Sequence, residues 1–160
     1  DFARMPKPHF KNNDLIKVLD ENIDLLKKID NSINFNINNK TGKKVIINFD
    51  NEQFNRLFFN LIKNSIESIK EKDKKTSKSL KNIDIEINQR RDYITVNLID
   101  TGEGFKDKKT KDIIKPYYTT KEKGTGLGLS IVDKIINDHN GSLKFLNTNN
   151  GAKVQIIIPK

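Results

Sequence analysis

The sequence predicts a two-layer α/β sandwich of the α+β type, with helices covering one face of a mixed, largely antiparallel sheet. Three observations carry that expectation. Apolar residues recur at three- and four-residue steps in three stretches, short alternating runs come in pairs between them, and one long glycine-containing loop interrupts the order. The order is helix, two strands, helix, two strands, loop, helix, two strands, which amounts to three helices over a sheet of about five to six strands.

Residues 1–12 carry Pro6 and Pro8 close together, which cannot continue a helix, so they read as a linker with a boundary before residue 13. From Asp14, a capping residue, Leu15, Val18, Leu19, Ile23, Leu26 and Ile29 form one apolar face, predicting a helix over 14–30. Ile33 to Ile37 and Lys44 to Phe49 flank Thr41-Gly42 and are expected to form a hairpin. A second helix is expected from Asp50 to about Lys70, with Phe54, Leu57, Phe58, Leu61, Ile62, Ser65 and Ile69 facing the core.

The lysine-rich stretch 70–81 reads as an exposed loop, and Ile83 to Ile87 and Tyr93 to Ile99 as two strands around a polar turn. Residues 101–123 form a loop of a length that is usually functional or disordered, and residues 105–123 of it are expected to be mobile when nothing is bound. Gly126 to about Asn140 reads as a third helix closed by Asn140-Gly141, followed by strands at Ser142 to Leu146 and Lys153 to Ile158.

The composition bounds the function classes. The chain has 160 residues, 34% of them hydrophobic and nine of them Phe, enough for one packed core. Its net charge of +9 is spread along the chain without a nucleic-acid-binding signature, so a solvated basic surface or an acidic protein partner is expected, and no nucleic acid. There is no Cys, which excludes a disulfide framework and a thiolate metal site. No run of about eighteen apolar residues occurs, so any membrane attachment is expected in parts of a parent protein that this chain lacks. Because it begins at Asp1 without a start Met, the chain reads as a fragment.

The chemistry concentrates in four places. Asp100-Thr-Gly-Glu-Gly104, Tyr117-Tyr-Thr-Thr-Lys121 and Gly124-Thr-Gly-Leu-Gly-Leu-Ser130 together describe a nucleotide pocket, in which backbone amides at a helix start face an anion. On the second helix Arg56, Asn60, Lys63, Asn64 and Glu67 form one polar stripe, which is either a solvated face or a site. The segment Asn60-Leu-Ile-Lys-Asn64 favours a site, because two Asn stand one turn apart and an amide oxygen can ligate Mg²⁺ without adding charge. The strand-GxxxxGK[ST]-helix pattern of a P-loop is absent, so phosphates must be held differently.

These residues resemble the ATP-binding catalytic domain of sensor histidine kinases, in the superfamily that also holds DNA gyrase, Hsp90 and the mismatch-repair MutL proteins. Asn60 to Asn64 is similar to the N box, Asp100 to Gly104 to the first glycine box, Pro116 to Thr120 to the F box, and Gly124 to Gly128 to the second glycine box. The resemblance covers about residues 13–160, and Asp1 to Pro8 resembles the end of the dimerisation helices in the NtrY-like nitrogen-regulation branch. It implies a Bergerat-type ATP-binding fold with ATP and Mg²⁺ as cofactors.

The resemblance also implies a role for each box. Asp100 accepts a hydrogen bond from the adenine amine, with Gly102 and Gly104 turning the chain beside the ring. Asn64 binds Mg²⁺, Asn60 and Lys63 lie near the phosphates, and Lys121 and Lys123 offset phosphate charge or stand as exposed loop lysines. Tyr117 and Tyr118 anchor the loop with Phe105, Thr119 and Thr120 complete the F box, and Gly124, Thr125, Gly126, Leu127 and Gly128 cradle the phosphates. A contact from Gly151-Ala152-Lys153 to the purine is a further expectation.

Two departures bear on mechanism. Hydrolytic relatives carry a Glu one turn before the Mg²⁺-binding Asn, whereas this chain has Asn60, a poor general base, which favours transfer over hydrolysis. Glu67 stands where many histidine kinases carry a basic residue. His9 and His139 both read as ordinary surface histidines, so the phosphate-accepting histidine is expected upstream, in a dimerisation domain of a homodimeric parent. The implied partners are that domain and a response-regulator receiver domain, in the cytoplasm. A conformational ATPase, an anti-sigma-factor-type serine kinase and a nucleotide-binding pseudoenzyme stay open as alternatives.

Overall fold

The structure, a computed structural model, describes residues 5–76, 79–105, 113 and 128–160. Helix α1 (Leu15–Ile29) starts where Asp14 accepts a hydrogen bond from the Ile16 amide at 3.1 Å. This satisfies an amide that the helix itself leaves unpaired. Its buried face is Leu15, Val18, Leu19, Asn22, Ile23 and Leu26, most of the stripe that the periodicity predicts; Ile29, read as part of that stripe, ends the helix 66% exposed.

Helix α2 (Asn51–Lys75) is capped by Asp50, whose Oδ1 accepts from the Gln53 amide at 3.0 Å. It runs a turn beyond the expected end, so the first part of the 70–81 stretch is helical and not loop. Lys72, Lys74 and Lys75 occupy its last turn, where cations favour the negative end of the helix dipole. The third helix, α3, is described from Gly128 to Asp138; its expected start at Gly126 lies outside the described residues. Helix α2 packs against both α1 and α3.

The strands are β1 (Lys11–Asp14), β2 (Asn34–Asn39), β3 (Ile46–Phe49), β4 (Asn82–Gln89), β5 (Tyr93–Asp100), β6 (Ser142–Asn147) and β7 (Ala152–Pro159). Five of them form a mixed sheet of order β2-β4-β5-β7-β6, in which only β2 and β4 run parallel. The sandwich and its largely antiparallel sheet are therefore as the sequence predicts.

Two local expectations are corrected. The hairpin around Thr41-Gly42 is not a pair of strands: the turn forms, with Gly42 at φ +70° and its amide on the Asn39 carbonyl, but β2 pairs with β4 and β3 pairs antiparallel with β1. Side chains on β2 bond across to β4, Asn36 donating to Asp84 at 2.9 Å. Lys11 and Asn12, read as linker, belong to β1, paired with Phe49 and Asn48.

Register sets the core and aims the site. Ile87, Val96 and Ile156 stand in one row across β4, β5 and β7, and Ile85, Leu98 and Val154 in the next. All six are buried in the hydrophobic core. Side chains alternate faces along a strand, so the row after these carries Ile83, Asp100 and Ala152 on the same face.

Candidate nucleotide site

Asp100 continues the apolar alternation of Ile94, Val96 and Leu98, and this parity turns its carboxylate into the core-facing side of the sheet with 4% exposure. Its Oδ1 accepts from the Gly102 amide at 2.8 Å. Burial pushes its pKa above the ordinary carboxylate value, and hydrogen bonds from the Gly102 amide, the Ser65 hydroxyl and the Ala152 amide, with the Lys72 charge, oppose that shift. A buried carboxylate that still feels net desolvation gains from a further hydrogen-bond donor.

The backbone around Asp100 is packed too closely for side chains. A Cβ on Gly102 would lie 2.3 Å from Ser68 Oγ and 2.9 Å from the Ser68 backbone, and one on Gly151 would lie 2.1 Å from the Asp100 carbonyl oxygen. Gly104 has φ +77°, a left-handed conformation that glycine takes without strain. The Glu103 amide donates to Ser68 Oγ at 2.8 Å and Lys75 pairs with Glu103 at 2.7 Å, so α2 holds the loop from its side. Phe105 packs edge-on against Phe145 with centroids 5.2 Å apart.

The second cluster lies where α2 meets the start of α3. An ideal Cβ on Gly128 would be 3.7 Å from Asn60 Oδ1 and 3.9 Å from Asn64 Nδ2. The two amides are half-buried, and Lys63 beside them is exposed, 3.9 Å from Glu67 and over the Phe59 ring. Arg56, further along the stripe, is exposed. The fold thus brings Asn60 and Asn64 to the first described residue of the glycine box, two segments that are far apart in sequence.

Tyr117, Tyr118, Thr119, Thr120, Lys121, Lys123, Gly124, Thr125, Gly126 and Leu127 lie outside the described residues, as does most of the loop expected to be mobile. Contacts that sequence reasoning did not assign are Ser65, Ser68 and Lys72 on α2, and Asn147 at the end of β6. The spacing of the three on α2 is one turn each; Ser65 is placed toward the core by the sequence, but Ser68 and Lys72 are indistinguishable there from a solvated face.

His139 is a correction. It is buried at 5% exposure, not on the surface: Nε2 accepts from the Asp50 amide at 3.1 Å, Nδ1 faces the Ile135 carbonyl at 2.8 Å, and the ring packs on Phe10 and Phe54. With both ring nitrogens engaged, it is closed to a phosphoryl group. His9 is exposed, and its backbone amide donates to Asp50 Oδ2 at 2.8 Å.

The sequence profile of the histidine kinase-, DNA gyrase B- and HSP90-like ATPases matches residues 49–160, which contain both clusters. The chain belongs to this ATPase family. Among family members, an NtrY-like sensor histidine kinase of Rickettsia bellii is 31% identical over 153 residues, covering 96% of this chain and 24% of that one. Sporulation kinase C of Bacillus subtilis is 34% identical over 155 residues, covering 94% of this chain and 34% of that one. The nucleotide-free catalytic domain of histidine kinase ThkA superposes with a TM-score of 0.81 at 26% identity, covering 95% of this chain and 96% of that one.

The chain is therefore an ATP-binding catalytic domain of the sensor histidine kinase type, and it spans a quarter to a third of these two relatives. The NtrY-like resemblance read from the sequence agrees with the relatives' names. Among the described residues, no helix is long and apolar enough to cross a membrane.

Proposed function

We propose that this domain holds Mg²⁺-ATP so that the γ-phosphoryl group passes to a histidine of a dimerisation domain, and from there to an aspartate of a response regulator. In the first step the bond from the γ-phosphorus to the β,γ-bridging oxygen breaks, a bond to an imidazole nitrogen forms, and ADP leaves. The protein's share is positioning and charge neutralisation, because the nucleophile comes from elsewhere. The parent is a homodimer working at the cytoplasmic side.

The observation that carries this reading is the pairing of two clusters: a buried, desolvated Asp100 among close-packed glycines, and the Asn60 and Asn64 amides at the start of α3. Asp100 accepts from the adenine amine; Gly102 and Gly104 keep the backbone clear of the base. Asn60 and Lys63 lie toward the phosphates, Lys121 neutralises the terminal one, and Lys123 with Gly124 to Gly128 lines the rest.

Mg²⁺ fits the donor set here. Among the described residues no group of three or more His, Cys, Asp or Glu could hold a metal ion, whereas the Asn64 amide is a neutral oxygen ligand of the kind that leaves room for phosphate oxygens and water. When bound, Mg²⁺ offsets phosphate charge. Asn60, lacking a carboxylate, does not activate water.

The test uses γ-labelled ATP. The chain alone is expected to incorporate no label, and a dimerisation domain added in trans is expected to become labelled at histidine. Labelling of His9 in the chain alone, or steady phosphate release without any acceptor, contradicts the proposal.

A further inference from the structure

The described start of the loop leaving Asp100, residues 101–105, is held at two points, and by different parts of the fold. At its start Ser65 and Ser68 of α2 bond the Asp100 carboxylate and the Glu103 amide. Further along, Asn147 takes hold of Phe105: Asn147 Oδ1 accepts from the Phe105 amide at 2.7 Å, and Asn147 Nδ2 donates to the Phe105 carbonyl at 2.7 Å. One side chain thus satisfies both backbone groups of one residue. Only a primary amide of this length can do that, since a carboxylate accepts without donating and an alanine does neither.

Sheet register explains why Asn147 reaches this spot. Asp100 pairs with Ala152 and Ala152 pairs with Asn147, so the two side chains stand in one cross-strand row on the same face, two strands apart. That is roughly 10 Å. The same amide closes over the left-handed turn, because a Cβ on Gly104 would lie 2.8 Å from Asn147 Oδ1. Two residues earlier on β6, Phe145 carries the Phe105 ring.

We infer that Asn147 is a positioning residue for nucleotide recognition: it fixes the Gly104–Phe105 backbone and so the path of the loop beside the Asp100 carboxylate. The side chain is exposed, so water replaces its hydrogen bonds when it is removed and the fold loses little. Its effect falls on the loop's position and not on the core. This inference rests on the nucleotide-binding reading proposed above.

The experiment compares the wild-type chain with Asn147→Ala and Asn147→Asp. Amide exchange at Phe105 is measured without nucleotide, and affinity is measured for a nonhydrolysable ATP analogue and for inorganic tripolyphosphate. Asn147→Ala is expected to speed Phe105 exchange and to weaken the analogue roughly 5- to 10-fold, while tripolyphosphate affinity and melting temperature hardly move. Asn147→Asp, which keeps the acceptor but turns a carboxylate oxygen toward the Phe105 carbonyl, is expected to weaken the analogue at least as much as Asn147→Ala.

Equal analogue affinity in wild type and Asn147→Ala overturns the inference and leaves the nucleotide reading standing. An equal loss for analogue and tripolyphosphate also overturns it, because the effect is then not beside the base. A wild-type chain that binds no analogue overturns the nucleotide reading, and the inference with it.

Discussion

Two buried polar clusters mark opposite ends of α2, and they are built in opposite ways. At the N-terminal end His139 is 5% exposed, bonded through both ring nitrogens and walled by Phe10 and Phe54. At the other end Asp100 is 4% exposed, equally buried, yet its neighbours are Gly102 and Gly151, where a Cβ would strike backbone. The first cluster is closed by aromatic rings and spends its polar capacity on the fold. Glycines build the second, which keeps a desolvated carboxylate among close-packed backbone. Burial alone does not separate scaffold from site; the surroundings do.

The first way to break this comparison is His139→Ala. It opens a cavity between two Phe rings and strands the Asp50 amide, so a loss of about 3 to 4 kcal/mol is expected in denaturant unfolding. Nucleotide affinity of the folded fraction is expected to stay within about twofold. A large affinity loss would show that the two ends are not independent.

Gly151→Ala is the converse. Its Cβ would meet the Asp100 carbonyl oxygen at 2.1 Å, forcing a backbone shift of a kind that costs about 1 to 3 kcal/mol. Here nucleotide affinity is expected to fall together with stability, which titration beside thermal melting would check.

The smallest effect is a pH dependence. Burial holds the His139 pKa below its ordinary 6.5, against the Ile135 hydrogen bond and the charges of Asp50 and Asp138, which raise it. The unfolded chain therefore binds a proton that the folded chain refuses, and His139's contribution is complete above about pH 6.5 and is lost as pH falls toward the folded value. Asp100 has the opposite sign: its pKa is raised, so its contribution is lost as pH rises from 3.8 through the folded value. Melting curves from pH 7.5 down to 5.5 are expected to show a decline that His139→Ala lacks.

Much of the fold was legible because its signals are local. Asp14 and Asp50 cap the helices that follow them, and the β4/β5 and β6/β7 hairpins form around polar turns with alternating apolar residues on either side. What escaped is what depends on distant partners. β1 has the sequence Lys-Asn-Asn-Asp, with no apolar alternation to announce a strand, and exists through its pairing with β3. The turn at Gly42 formed as read, but nothing local dictates that β2 lies beside β4. His139 is buried because it accepts from an amide 89 positions away.

In the candidate site the motif residues Asn60, Asn64, Asp100, Gly102 and Gly104 were legible as a pattern. Ser65 was legible as core-facing but not as a partner of Asp100, and Ser68 and Asn147 were not legible at all, because a hydroxyl or amide that bonds a loop looks in sequence like any solvated side chain.

The central claim is that the Asp100 end of α2 receives an adenine nucleotide, and calorimetric titration with a nonhydrolysable ATP analogue and Mg²⁺, wild type beside Asp100→Asn, tests it most directly. The account predicts that the variant binds roughly 10- to 100-fold more weakly. Its melting temperature should be unchanged or higher, because a buried amide costs less than a buried carboxylate. Equal affinity in the two proteins would contradict the claim.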